Sequence, residues 1–111
     1  MNNTEHNFNR FADADALWFW FVASKRIKTG FMARYAGGAN RPCEILDMEV
    51  LMTRLNLSGK LPNAALNVLT RYGFLRRAPN KNLRHEEKDA AAWEGAMETI
   101  TAAAKAKGWL E

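Results

Sequence analysis

The 111-residue sequence has one cysteine, three prolines and no carboxylate at all between Val50 and His85. The lone thiol, Cys43, excludes an internal disulfide and a cysteine-built zinc cluster, and it fits a reducing cytoplasm. Beside Arg41 this thiol is either activated by positive charge or, the more usual outcome, buried and structural. The longest apolar run, Ala16 to Ala23, falls far short of the ~20 residues of a membrane span. Asp13 and Asp15 precede it and Lys25 and Arg26 follow it, so a buried helix is expected and membrane association is not. The segment Met1 to Asn7 has neither the basic start nor the apolar core of an export signal, which again suggests a cytoplasmic protein.

Catalytic motifs are equally scarce. His85 is followed by Glu86-Glu87-Lys88-Asp89 without the second histidine of a zinc-binding helix, and His6 stands far away in a polar segment. Gly37-Gly38 is not followed by Lys-Ser or Lys-Thr, so it is not a phosphate loop. No catalytic residue, metal or cofactor is therefore expected, and a non-catalytic role is the working reading.

What the chain does have is positive charge in one place. From Ala16 to His85, twelve Lys and Arg side chains stand against Glu44, Asp47 and Glu49, a balance of +9. The first fifteen residues carry −2 and the stretch from Glu86 onward −3, within a net charge of +4. Such a middle attracts phosphate or an acidic partner and has few acids of its own to neutralise it.

Apolar spacing predicts an all-α single domain of about four helices, residues 12–111, after a polar arm of residues 1–11. The first helix starts at Asp13 or Asp15, where an acid suits the helix dipole, and ends at Gly37-Gly38. Leu17, Trp20, Phe21, Ser24, Ile27, Phe31 and Tyr35 form one stripe, while Trp18, Phe19 and Val22 fall on the other side. A helix apolar almost all round is central to its fold or covered by a partner. The second helix starts near Glu44 to Asp47, buries Met48, Leu51, Met52 and Leu55, and stops at Ser58-Gly59. The third spans Pro62 to Tyr72, faces Leu66 and Leu69 inward, and has Gly73 as its expected C-cap. The last runs from Leu83 to Lys107, with Trp93, Ala96, Met97, Ile100, Ala103 and Ala104 inward, and Trp109-Leu110 is placed to fold back on the core.

Three constellations bear on function. The second and third helices, joined through Ser58-Gly59-Lys60-Leu61, have the outline of a helix-turn-helix. Asn63, Asn67, Thr70 and Arg71 then point outward, and Asn and Arg are suited to bidentate base contacts. The following loop offers Arg76, Arg77, Lys81 and Arg84 to a phosphate backbone, with Tyr72 and Phe74 interleaved. The plainer reading makes those aromatics core residues and pairs the arginines with Glu86, Glu87 and Asp89. The third constellation is Trp18-Phe19-Trp20-Phe21, whose four rings cannot share one helix face. Trp18 and Phe19 are either covered by the last helix or form an interface to a protein partner or a second copy.

Trp18-Phe19-Trp20, Arg41-Pro42-Cys43-Glu44, Val68-Leu69 with Tyr72-Gly73, Ala91-Ala92-Trp93 with Ala96-Met97, and Lys107-Gly108 together resemble a family of small uncharacterised bacterial proteins. The resemblance implies a bacterial cytoplasmic setting and no activity, ligand or site. The sequence is thus read as an accessory protein that binds nucleic acid through its basic middle, or else as an interaction module or homo-oligomer docking through the aromatic helix.

Overall fold

The computed structural model describes residues 10–27 and 41–111. Among them are α1 (Ala14–Ile27), α2 (Ile45–Leu57), α3 (Asn63–Leu75) and α4 (Glu87–Ala106), with a short 3-10 turn, Arg84–Glu86, leading into α4. The fold is all-α, as the apolar spacing predicts. The arm through Asn9 and the expected course of the first helix from Lys28 to Gly38 lie outside the described residues.

Asp13 starts α1: its Oδ1 accepts the Ala16 N–H at 2.9 Å, satisfying one of the orphan donors of the first turn. The helix is central, touching α2, α3 and α4. Leu17, Trp18, Phe21 and Val22 are all buried, which explains the apolar residues around its circumference. Phe19 is half-buried and stacks on Trp93 of α4 at 5.6 Å between ring centroids. On α2, Met48, Leu51, Met52 and Leu55 are buried as the spacing predicts, and α1 is its main packing partner. Phe11 joins the two ends of the domain: its N–H donates to the Trp109 carbonyl at 3.0 Å and its carbonyl accepts the Glu111 N–H at 2.9 Å. Trp109 and Leu110 do fold back and are buried.

Three helices end in the same way, with hydrogen bonds running 6→1 and 5→2. After α2 these are Lys60 N–H to Leu55 O and Gly59 N–H to Asn56 O; after α4, Trp109 N–H to Ala104 O and Gly108 N–H to Lys105 O. After α3 they are Arg77 N–H to Tyr72 O and Arg76 N–H to Gly73 O. The motif places one residue in the left-handed region. Gly59 (φ 83°) and Gly108 (φ 78°) take that position in two cases, and Arg76 (φ 61°) in the third.

Gly73 is therefore not the C-cap that the sequence suggests; α3 continues to Leu75. Its smallness serves packing instead. A methyl group at position 73 would lie 2.8 Å from Val22 Cγ2 and 3.0 Å from Trp18 Nε1. Val22 is β-branched and stiff, and the Trp18 indole is pinned by donating to the Leu69 carbonyl at 2.9 Å. Helix propensity alone favours Gly73→Ala by up to about 1 kcal/mol. Overpacking costs about 1–3 kcal/mol, so a net loss of stability is expected in chemical denaturation. Adding Val22→Ala should make the two changes markedly non-additive, because the second opens the space the first needs.

Trp20, which the apolar stripe places in the core as it does Trp93, is only half-buried. It lies between Phe11, at 5.2 Å, and the Arg41 guanidinium, at 5.8 Å, on the edge of the core. Trp93 is buried and meets both Phe19 and Tyr72. Trp93→Ala should cost about 3–5 kcal/mol, and Trp20→Ala distinctly less, in paired denaturant titrations of the two variants.

Candidate nucleic-acid interface

The acid-free stretch runs from the middle of α2 through α3 and the loop that follows it. Asn63, Asn67, Thr70 and Arg71 lie on the exposed stripe of α3, as the helical spacing requires, opposite buried Val68, Leu69 and Tyr72. Pro62 precedes the first turn with φ already fixed. The connection from α2, residues 58–62, is held by Asn56, whose amide donates to the Leu61 carbonyl at 2.8 Å and to Asn63 Oδ1 at 3.0 Å. Asn63 is thus part of the turn as well as the exposed stripe. Asn67 makes no side-chain hydrogen bond among the described residues.

Beyond α3 the chain must turn back to start α4, and one buried carboxylate shapes that turn. Glu86, 4 % exposed, accepts two hydrogen bonds from Arg77, at 2.9 and 2.6 Å, and the Asn80 backbone N–H at 2.8 Å. The bidentate guanidinium and the Asn80 N–H hold the Glu86 carboxyl down at about 2, far below its usual 4.5. Asp89 is the second local acid. Its Oδ2 accepts from Arg71 at 2.9 Å and from the Tyr72 hydroxyl at 2.8 Å. Burial, and then the bond to Asp89, push the Tyr72 phenol up. Tyr72 is a core residue flanked by two cations, the Arg77 guanidinium lying 5.5 Å from its ring centroid and that of Arg71 6.0 Å. It has no open face for a base and serves the core. Phe74 is 54 % exposed, so only one of the two interleaved aromatics follows the core reading.

Of the residues expected to bind nucleic acid, Arg71 and Arg77 are thus ion-paired, as the plainer reading of the sequence has it. Arg76, Lys81 and Arg84 are exposed and have no carboxylate partner among the described residues. Arg54 and Lys60 share that condition at the other end of α3, and the sequence carries no signal for them beyond their charge. The 13 residues of α3 separate the two groups by about 20 Å.

Trp18, one of the two candidate interface residues, is 5 % exposed, and Phe19, the other, is covered in part by Trp93. Trp18 is covered by α3 at Gly73 and Leu69. Cys43 is buried, and desolvation together with nearby Asp47 pushes its thiol up to about 12 despite Arg41. It stays protonated and unreactive at neutral pH.

An open cleft of about 740 Å³ lies beside the loop, lined in part by Asp15, Asn80, Lys81, Glu94 and Glu98. Its acids disfavour phosphate inside the cleft, and Lys81 stands where the cleft borders the basic surface. Among the described residues no cluster of His, Cys, Asp and Glu is arranged to hold a metal, and no helix is long and apolar enough to cross a membrane. Comparison with models of protein families, with curated proteins and with solved structures finds no match to this chain.

The Glu86 site makes the loop acid-sensitive. A carboxyl held below its ordinary value contributes stability that is complete above about pH 4.5 and is lost as the pH falls toward 2. Thermal unfolding should show the melting temperature falling across that window. Glu86→Gln should be less stable at pH 7 and show a flatter dependence between pH 4.5 and 2 than the parent.

Proposed function

We propose that this domain binds nucleic acid through its acid-free middle. In this reading Arg76, Lys81 and Arg84 contact phosphate, and the Asn63, Asn67 and Arg71 stripe of α3 lies toward the bases. The observation that carries the reading is the conformation of Arg76. Two of the three equivalent helix ends use glycine for the left-handed residue, and the third holds an exposed arginine there. A non-glycine residue in that region costs about 1 kcal/mol or more. The Arg76 side chain itself does not offset that cost through an ion pair, since it has no carboxylate partner among the described residues. Strain of this kind is retained where a side chain has a role that glycine cannot perform. Here the side chain offers a cation at the crest of a loop already rich in them, and phosphate is the partner such a surface attracts. Docking through the aromatic helix draws no comparable support, because Trp18 is buried.

The test uses fluorescence anisotropy with duplex DNA, duplex RNA and single strands across a salt series. Arg76→Gly should raise stability by about 1 kcal/mol and weaken binding, a trade of function against stability. Replacing Arg76, Lys81 and Arg84 together by Gln should weaken binding to duplex DNA and flatten the salt slope by about 0.9 for each phosphate no longer neutralised. Arg77 is left in place, since its removal strands the buried carboxylate of Glu86. Absence of binding by the parent at low salt, or an unchanged slope in the triple variant, would reject the reading.

A further inference from the structure

The second helix carries apolar residues on two opposite faces, and the fold uses one. Met48, Leu51, Met52 and Leu55 are buried. Leu46 is 66 %, Val50 42 % and Leu57 80 % exposed. At 100° per residue, positions 46, 50, 53 and 57 fall in a stripe roughly 60° wide, diametrically opposite the buried one. Their spacing of four, three and four is that of a coiled-coil seam. A shallow groove runs along this face over Leu46, Glu49, Val50, Thr53 and Arg54. Because α2 packs mainly on α1, nothing in the described fold covers it.

We infer that this face is a self-association surface, and that α2 pairs antiparallel with α2 of a second copy about a two-fold axis. The stripe is complementary to itself. In an antiparallel seam each position meets the one that makes up a constant sum. Leu46 then meets the partner's Leu57, and Val50 meets the partner's Thr53, each twice by symmetry. The charges follow the same register. Asp47 and Arg54 flank the stripe on the same side, one near each end. Antiparallel pairing brings Asp47 beside the partner's Arg54 and Arg54 beside the partner's Asp47. Parallel pairing would instead aim Arg54 at the opposite flank, where Glu49 is already tied to Lys25 of α1 at 2.9 Å, and would give Asp47 no cation of α2 to meet. Asp47 and Arg54 are both exposed; Asp47 accepts the Glu44 N–H at 2.8 Å through Oδ2 in the capping box of α2, which leaves Oδ1 for a partner, and Arg54 has no carboxylate partner among the described residues. A foreign apolar helix would fill the groove equally well, but only a second copy accounts for the match of both layers and both charge pairs within one 13-residue helix. The strip is about 17 Å long, at the small end of specific interfaces, so a dissociation constant between about 1 μM and 1 mM is expected. This inference is independent of nucleic-acid binding.

Sedimentation velocity of the whole chain from about 10 μM to 1 mM reads it directly. The parent should move from 12.6 kDa toward twice that mass. Leu57→Glu, at an exposed position, should weaken association at least tenfold with the melting temperature of the dilute protein unchanged. Arg54→Glu and Asp47→Lys each set like charges together in their own homodimers, and each should stay monomeric alone. Mixed one to one they restore opposite charges at both pairs and should form a heterodimer. A parent that stays monomeric throughout, or a dimer that survives Leu57→Glu, overturns the surface. Two charge variants that fail to associate when mixed, with helix content intact by circular dichroism, overturn the antiparallel register.

Discussion

The close approach of α1 and α3 at Gly73 is the constraint on which the other packing rests. With no side chain at that position, the Trp18 indole lies against α3 and donates to the Leu69 carbonyl at 2.9 Å. That bond satisfies a buried N–H which would otherwise cost about 1–3 kcal/mol. Once Trp18 is turned to α3, Phe19 is carried round toward α4, where it stacks on Trp93. The same helix therefore feeds two neighbours with consecutive aromatic residues. The third neighbour, α2, packs on α1 through its methionine and leucine stripe, and nothing among the described residues covers its far side.

The charge distribution imposes a second order on the molecule. With no acid from Val50 to His85, a basic residue there can pair only with carboxylates from outside the stretch. Asp89 and Glu86, at the start of the last helix, take up Arg71 and Arg77. The Arg71 pair is mostly exposed, and such pairs contribute little, about 0–1 kcal/mol. Glu86 is different because it is buried: losing Arg77 would leave it charged in a poor dielectric. Its function is to set the loop's shape. Two local acids take up two arginines, and Arg76, Lys81 and Arg84 are left over on a loop that Glu86 ties at Arg77 and Asn80.

Much of this is legible in the sequence, and what is not has identifiable causes. Helix number, the α2 stripe, Trp93 and the return of Trp109-Leu110 all follow from apolar spacing and from end signals such as Gly59 and Gly108. Pairing of arginines with Glu86 and Asp89 is also visible as an alternative, because those are the nearest acids in sequence. Gly73 misleads because a glycine near the end of a helix reads equally as a cap or as a contact, and only the position of Trp18 separates the two. Arg76 cannot be found by pattern at all. The left-handed position is recognised in sequence by glycine, and this helix end does without one. Spacing misplaces Trp20 because a stripe defines a direction and not a depth; its direction leads to the rim, where Phe11 and Arg41 meet it.

The outer face of α2 is hidden in the sequence for a related reason. Leu46, Val50 and Leu57 are scattered among polar residues, and the stronger Met48-Leu51-Met52-Leu55 stripe accounts for the helix without them. Leu57, 80 % exposed, is nearly as solvated in the folded state as in the unfolded one, and Leu46 and Val50 are only partly withdrawn from water, so the fold gains less from these three than from the buried stripe. The strained Arg76 is the opposite case, since it lowers the stability of the folded state directly. Folding stability therefore opposes one feature and is nearly indifferent to the other. Neither is explained by the requirements of the core, so the proposals for the α3 loop and for the outer face of α2 start from features that the packing of the domain leaves unexplained.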